Sequence, residues 1–245
     1  MSLLKVLSVL MDYPNAQFYE HQADIKSCIE ASSASTANKQ GLLAFVDQRA
    51  AQNLLDWQED YDTLFERGRS LGLWLFEHVH GESRDRGQAM VDLSAKYREA
   101  GLHISEHQLP DYIPMFLEFL STQGEESAGE WLRDVEHILA LLQCRLERRG
   151  SDYSVMFSTL LNLAESKVDL KVLRKQVAAE KRDDSKKAID KEWQEEEVTF
   201  GADSLDKSCD AAKRKPSEAQ RKDLDVPMTW VGFNEVDTQN EGAVQ

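Results

Sequence analysis

The chain has 245 residues, 41% of them hydrophobic and 30% charged, with 44 acidic against 29 basic side chains and a formal charge of −15. Such a surface repels phosphate backbones, and no Lys/Arg stripe with interleaved aromatics offsets it, which excludes nucleic acid as a partner and favours a basic one. Only five prolines and twelve glycines are present, while Leu, Ala, Glu, Gln, Lys and Arg dominate. That composition predicts an all-α protein, a single globular helical bundle.

The opening MSLLKVLSVLMDYP is apolar, lacks a strongly basic leader and an A-x-A-like cleavage site, and breaks at Asp12-Tyr13-Pro14. It predicts a first buried helix rather than a signal peptide. Phe18, Ile25, Cys28 and Ile29 form the next stripe, and Leu42, Leu43, Phe45 and Val46 another. Trp57, Tyr61, Leu64 and Phe65 follow at i, i+4, i+7 and i+8, with Gly68 as a stop. The very apolar Leu71 to Phe76 runs into the polar segment EHVHGESRDRG. The next helix carries Met90, Leu93 and Tyr97 and ends near Gly101 as its C′ residue.

Ser105 and Gln108 have capping-box spacing, cut short by Pro110. Asp111-Tyr112-Ile113-Pro114 reads as an N-cap followed by proline in the first turn, opening the apolar and therefore central helix MFLEFL. One longer helix is expected from Ala128 to Arg149, with Trp131, Val135, Ile138 and Leu142 on one face. Ser151 or Asp152 then opens a buried segment through Met156, Phe157, Leu160, Leu161 and Ala164. A weaker stripe of Val168, Leu173 and Val177 precedes a last amphipathic helix, capped by Ser185 and bearing Ile189 and Trp193. These elements assign residues 1–200 to one helical domain. Residues 201–245 read as a disordered tail of mixed charge with one apolar island, VPMTWVGF. That island suits either a docking peptide or a segment folding back on the domain.

No run reaches the length of a membrane span, so membrane insertion is not expected. The three cysteines, Cys28, Cys144 and Cys209, are far apart, form no C-x-x-C pair and read as buried thiols in a reducing cytosol. G-x-S-x-G, G-x-G-x-x-G and the Walker-A pattern are absent, and the Glu195-Glu196-Glu197 run reads as a solvated face. The densest polar constellation is Glu77-His78-Val79-His80-Gly81-Glu82-Ser83-Arg84-Asp85-Arg86. His78, His80 and Glu82 offer one alternative reading, a metal- or cofactor-handling centre. However, i, i+2 histidines diverge on a helix and no H-E-x-x-H accompanies them. The preferred reading is a hydrogen-bonded loop that anchors two buried helices, with Arg84 and Arg86 pairing to Asp85 or Glu82, or reaching a partner's carboxylates. Trp57, Tyr61, Trp74, Phe76, Tyr112, Phe116 and Phe119 at helical spacing are core residues on one reading and the lining of a helix-accepting groove on the other.

The run Tyr61 to Arg69 (YDTLFERGR), the stretch Leu75 to Leu93 containing EHVHGESRDRGQAM, and LPDYIP at 109–114 with LEFL at 117–120 resemble the respiratory nitrate reductase assembly chaperones, the delta-subunit or NarJ type. The likeness continues through YSVMF at 153–157, Arg182-Asp183-Asp184 and WQEEE at 193–197, covering about residues 1 to 200. It implies an all-helical molybdoenzyme maturation chaperone, not an enzyme. Such a protein holds the apo catalytic subunit by its N-terminal amphipathic peptide, keeps it competent for molybdenum-cofactor insertion and binds no cofactor stably. The resemblance also implies a cytoplasmic location, and cofactor-delivery proteins as further partners. The second family element often reads P-D-H; Tyr112 stands where that histidine would be, so no histidine role carries over. The expected partner-binding residues are Trp74, Glu77, His78, His80, Glu82, Arg84, Asp85, Arg86, Asp111, Tyr112 and Phe116; no catalytic residue and no metal ligand is assigned.

Overall fold

The computed structural model describes residues 2–80, 84–105 and 108–195, without the side chains of residues 80, 84, 85 and 191–195. The expected tail, the boundary at residue 200, Cys209 and the Trp193 side chain lie outside that description. Among the described residues there are twelve α-helices and no β-strand longer than an isolated bridge.

Helix α1 (Leu3–Met11) starts where the Ser2 hydroxyl accepts from the Lys5 N–H, and it buries Leu3, Val6, Leu7, Leu10 and Met11. Its main neighbour is α7 (Ile113–Leu120), apolar nearly all round, with Ile113, Phe116, Leu117, Phe119 and Leu120 buried. Ser8 donates to the Pro114 carbonyl at 2.7 Å, and Lys5 pairs with Glu118 at the rim of this contact. Helices α2 (Gln17–Ala31) and α3 (Thr36–Ala51) pack against each other, with Ser35 capping α3.

Helix α4 (Leu54–Tyr61) widens into a π-turn over Asp62–Glu66 before the chain leaves in extended conformation at Gly68. Trp57, Tyr61 and Phe65 are all buried, and with Phe18, Phe45 and Tyr153 they form an edge-to-face aromatic cluster. The Trp57 indole N–H donates to the Tyr153 hydroxyl at 2.8 Å. Arg49, 5% exposed, stacks over Phe45, and its Nη2 donates to both carboxylate oxygens of Asp152 at 2.6 and 2.8 Å, so the charge inside this cluster is matched.

After a 3-10 turn at Arg69–Leu71 come α5 (Glu77–His80), α6 (Arg84–Glu99), α7, α8 (Glu125–Asp134), α9 (Glu136–Arg149), α10 (Ser154–Leu163), α11 (Leu170–Ala179) and α12 (Lys186–Glu195). Helix α9 lies against both α10 and α11. A Cβ on Gly41 would sit 2.7 Å from the Val155 side chain, so glycine sets how closely α3 approaches α10.

Two sequence expectations are corrected. The helix foreseen from Ala128 to Arg149 is two helices that break at Val135, whose φ of −107° and ψ of 8° leave the helical basin. The break lets α8 turn Ala128 and Leu132 inward while α9 packs on α10 and α11. Asp111 is not the N-cap of α7. Tyr112 holds that position without a side-chain cap bond, and the Asp111 carboxylate points into the core.

Candidate functional site

The two motif-bearing stretches meet in space. Residues around Trp74 and Tyr112 form an isolated antiparallel bridge, in which Leu75 N–H donates to Asp111 O at 2.9 Å and Ile113 N–H to Leu73 O at 2.8 Å. This clasp ties the segment before α5 to the start of α7. It explains why the stretch from Leu71 to Phe76 is so apolar: Leu71 at the end of the 3-10 turn, and Leu73 and Leu75 on either side of the bridge, all point inward, each 1% exposed.

Asp111 is completely buried. One carboxylate oxygen accepts from the Phe76 N–H at 3.2 Å and lies 3.7 Å from an Arg86 guanidinium nitrogen; the other has no hydrogen-bond partner among the described residues. Burial pushes its pKa up, against the pull of the Phe76 N–H and Arg86. The adjoining Pro110 carbonyl accepts from the buried Tyr97 hydroxyl at 2.7 Å, which brings α6 into the same knot.

On the outer side the half-buried Tyr112 stacks at a tilt on Trp74, ring centroids 5.9 Å apart. Its hydroxyl donates to Asp12 at 3.1 Å and lies 3.1 Å from the Tyr61 hydroxyl, which is also 3.0 Å from the Met11 carbonyl. Two hydroxyl hydrogens serve these three contacts, so the Tyr61 proton is shared between the Met11 carbonyl and the Tyr112 oxygen. Burial raises the pKa of both tyrosines, and both stay protonated. Tyr112 thus links the end of α1, the end of α4 and the start of α7 through its phenol.

His78 is half-buried, and its Nε2 lies 2.8 Å from the Gly72 carbonyl, which fixes Nε2 as the protonated nitrogen. Burial, with Arg145 nearby, lowers its pKa although the bond to Gly72 opposes the shift. Beneath it, Arg69, Ser70, Glu77, His78, Arg86, Leu141 and Arg145 line a polar cleft of about 510 Å3. Its charges are largely matched within the protein. Arg145 grips Glu180 with two bonds of 2.9 Å and donates to the Ser70 carbonyl.

Asp183 accepts from both the N–H and the hydroxyl of Ser70 at 2.7 Å and from Arg149 at 3.2 Å. Burial works against its charge, but these bonds outweigh it and hold the Asp183 carboxyl below the usual range. The segment after α11 is thereby bolted under the clasp. In the sequence Arg182-Asp183-Asp184 stands out only through the resemblance, Asp12 only as a helix break and Tyr97 only on a helical stripe, and nothing marks Ser70 or Arg145.

Of the expected partner-binding residues, the clasp brings together Trp74, Glu77, His78, Arg86, Asp111 and Tyr112. Phe116 is 2% exposed and packs on Trp131, inside the core beneath the clasp. Glu82 and the side chains of His80, Arg84 and Asp85 lie outside the described residues. Arg86 lies 3.7 Å from Asp111; its expected partners Asp85 and Glu82 fall outside the described side chains. No group of three or more His, Cys, Asp or Glu converges among the described residues.

The sequence profile described as the nitrate reductase delta subunit matches residues 30–159, more than half the chain and both halves of the clasp. The chain belongs to the nitrate reductase delta subunit family. Within the family it is 44% identical over 201 residues to the nitrate reductase molybdenum cofactor assembly chaperone NarJ of Escherichia coli K12, covering 82% of this chain and 85% of that one. It is 42% identical over 212 residues to the probable assembly chaperone NarW of the same strain, covering 86% and 89%. The probable NarJ of Bacillus subtilis is 28% identical over 160 residues, covering 65% and 86%. No described helix of this delta-family chain is long and apolar enough to cross a membrane.

Proposed function

We propose that this chain is a molybdenum-cofactor assembly chaperone for a membrane-bound respiratory nitrate reductase, acting in the cytoplasm without catalysis of its own. The observation that carries this reading is its alignment with a NarJ chaperone over 85% of that protein's length. The client is the apo catalytic subunit, held through an N-terminal amphipathic peptide until the cofactor is in place. The half-buried Trp74 and Tyr112, with the exposed Leu109 beside the clasp, offer an aromatic and aliphatic face for client contact.

A chaperone must release its client, so modest affinity suits it. A micromolar complex corresponds to about −8 kcal/mol, which a few hundred Å2 of apolar contact at ~25 cal/mol per Å2 supplies only before association costs are subtracted. Titration of the full chain with the N-terminal peptide of a nitrate reductase catalytic subunit tests the reading. Saturable binding that weakens with salt is expected, because the chain carries a charge of −15. No binding at tens of micromolar, together with no co-purification of the intact catalytic subunit, would refute it.

A further inference from the structure

Helix α11 is fastened to the fold by charge more than by apolar packing. Of the described residues from 165 to 190, only Val177 is fully buried, with Val168, Leu170 and Leu173 partly buried against the core. Helix α7, by contrast, buries six of its eight residues. In place of apolar area, three arginines of α9 at i, i+3 and i+4 reach the end of α11 and the strap that follows it, residues 180–185. Arg145 grips Glu180 with two bonds of 2.9 Å, Arg148 donates to the Val177 and Glu180 carbonyls, and Arg149 pairs with Asp183 and Asp184.

Both halves of this fastening close on Ser70. Its N–H and hydroxyl donate to Asp183 of the strap, and its carbonyl accepts from Arg145, the partner of Glu180. A Cβ on Gly68 would sit 2.8 Å from the Asp183 carboxylate, so glycine is what admits the strap to this turn. The carboxylates of Glu180 and Asp183 stay 34% and 30% exposed, within reach of screening by salt. Under the other end of α11 lies Cys144, 2% exposed, its thiol 3.9 Å from the Leu170 carbonyl.

We propose that α11 and the strap form an electrostatic latch, an arm that lifts from α9 as a unit while the core stays folded. Lifting it takes only Val177 out of full burial, but separates Arg145 and Arg149 from their carboxylates together. Openings short of global unfolding draw on segments with few buried apolar contacts, which describes this arm. When the arm lifts, Ser70 loses Asp183, and the 3-10 turn at Arg69–Leu71 that leads into the clasp is unpinned. Ser70 and Cys144, on different elements, are covered by the same arm and therefore open together.

The test uses the full chain with Cys28→Ser and Cys209→Ser, which leaves Cys144 as its single thiol. Labelling by N-ethylmaleimide and hydrogen exchange at the Ser70 amide are followed at low and high salt. The reference is Val46→Cys in a chain that also carries Cys144→Ala, a thiol seated in the core on α3. Cys144 should react at least tenfold faster than this reference, and its rate should hold nearly constant in dilute urea, where the reference rate climbs steeply, because the latch exposes little surface on opening. High salt should raise Cys144 labelling and Ser70 exchange by the same factor, at least fivefold. Glu180→Gln and Asp183→Asn should each raise both rates at low salt and flatten their salt dependence. Labelling of Cys144 that matches the reference in rate and urea dependence overturns the latch, since the thiol is then reached only by global unfolding. A Cys144 rate that ignores salt and both substitutions, or a Ser70 amide that does not follow Cys144, overturns it as well. Should either substitution fail to fold, the salt and urea dependence of the single-thiol chain still decide the question.

Discussion

The clasp and a groove of about 1560 Å3, lined by the start of α1, α2, α8 and the end of α10, use the same kinds of side chain in opposite ways. In the clasp, two short segments, near 71–78 and 109–113, spend most of their polar atoms on each other: bridge amides, Asp111 on Phe76 N–H, Tyr112 on Asp12, and His78 on Gly72. In the groove, three segments far apart in sequence contribute carboxylates that outnumber the basic groups, and one of them adds a backbone seat better suited to glycine, Glu165 at φ +51°. The clasp pairs most of its polar atoms within the protein and therefore stabilises the fold. The groove carries carboxylates in excess of its basic groups, one of them, Asp24, paired with His21. A dense sequence motif thus marks the place that holds the molecule together, and the groove carries no motif.

The sharpest way to break this contrast is Asp111→Ala. It leaves the buried Phe76 N–H without its acceptor and Arg86 without its counter-charge, and should cost roughly 3 kcal/mol of unfolding free energy, read from urea denaturation. Asp111→Asn keeps an acceptor for Phe76 and should cost less than half as much, since burial already disfavours the charged form. If both substitutions are near neutral, the clasp is not the anchor described here. A smaller loss, about 1 kcal/mol, is expected for Tyr112→Phe, because the Tyr61 hydroxyl can still donate to the Met11 carbonyl. A loss of peptide binding larger than that stability change would move Tyr112 from anchoring to client contact.

The difference between the regions also explains what the sequence disclosed. Helical periodicity at Trp57, Tyr61 and Phe65 and along MFLEFL was legible because burial on one face repeats locally. The turn at Gly101 was legible because left-handed chain favours glycine. The break at Val135 was hidden, since Trp131 and Ile138 keep helical spacing across it and the chain departs from the helix at one residue. Asp111 before Ile113-Pro114 had the look of a cap, and only its backbone pairing with Leu75 turns the carboxylate inward. The groove could not be read at all, because Leu3, Asp24, Glu125 and Glu165 share no period. Its one local clue was a glutamate in glycine's seat after α10, which shows only once φ is known.

Glu165→Gly sharpens the contrast from the other side. Relief of the left-handed strain, roughly 1–2 kcal/mol, is offset by the extra freedom of glycine in the unfolded chain, roughly 0.5–1 kcal/mol, leaving a net stabilisation between about 0 and 1.5 kcal/mol. A rise of a few degrees in melting temperature is the expected outcome. A fall would mean that the Glu165 carboxylate already holds the groove wall together, which would place the groove with the clasp as a structural device.

The smallest effect concerns protons. His78 is held neutral by burial, so its folded pKa lies below the unfolded value of roughly 6.5. The unfolded chain therefore binds a proton that the folded chain refuses as the pH drops through that value, and folding must weaken over this interval. Asp183 and Asp184 also have lowered folded pKa values, so their stabilising contribution is present near neutrality and is lost only as the pH falls below roughly 3.9. Asp111 runs the other way, its raised pKa making the folded state relatively more favourable in acid. A drop in stability between about pH 7 and pH 5.5 that disappears in His78→Gln, whose amide can still donate to the Gly72 carbonyl, would locate the proton uptake at the clasp. If the slope persists in that variant, the buried His78 imidazole does not control this titration, and the acid sensitivity of the fold belongs to another group.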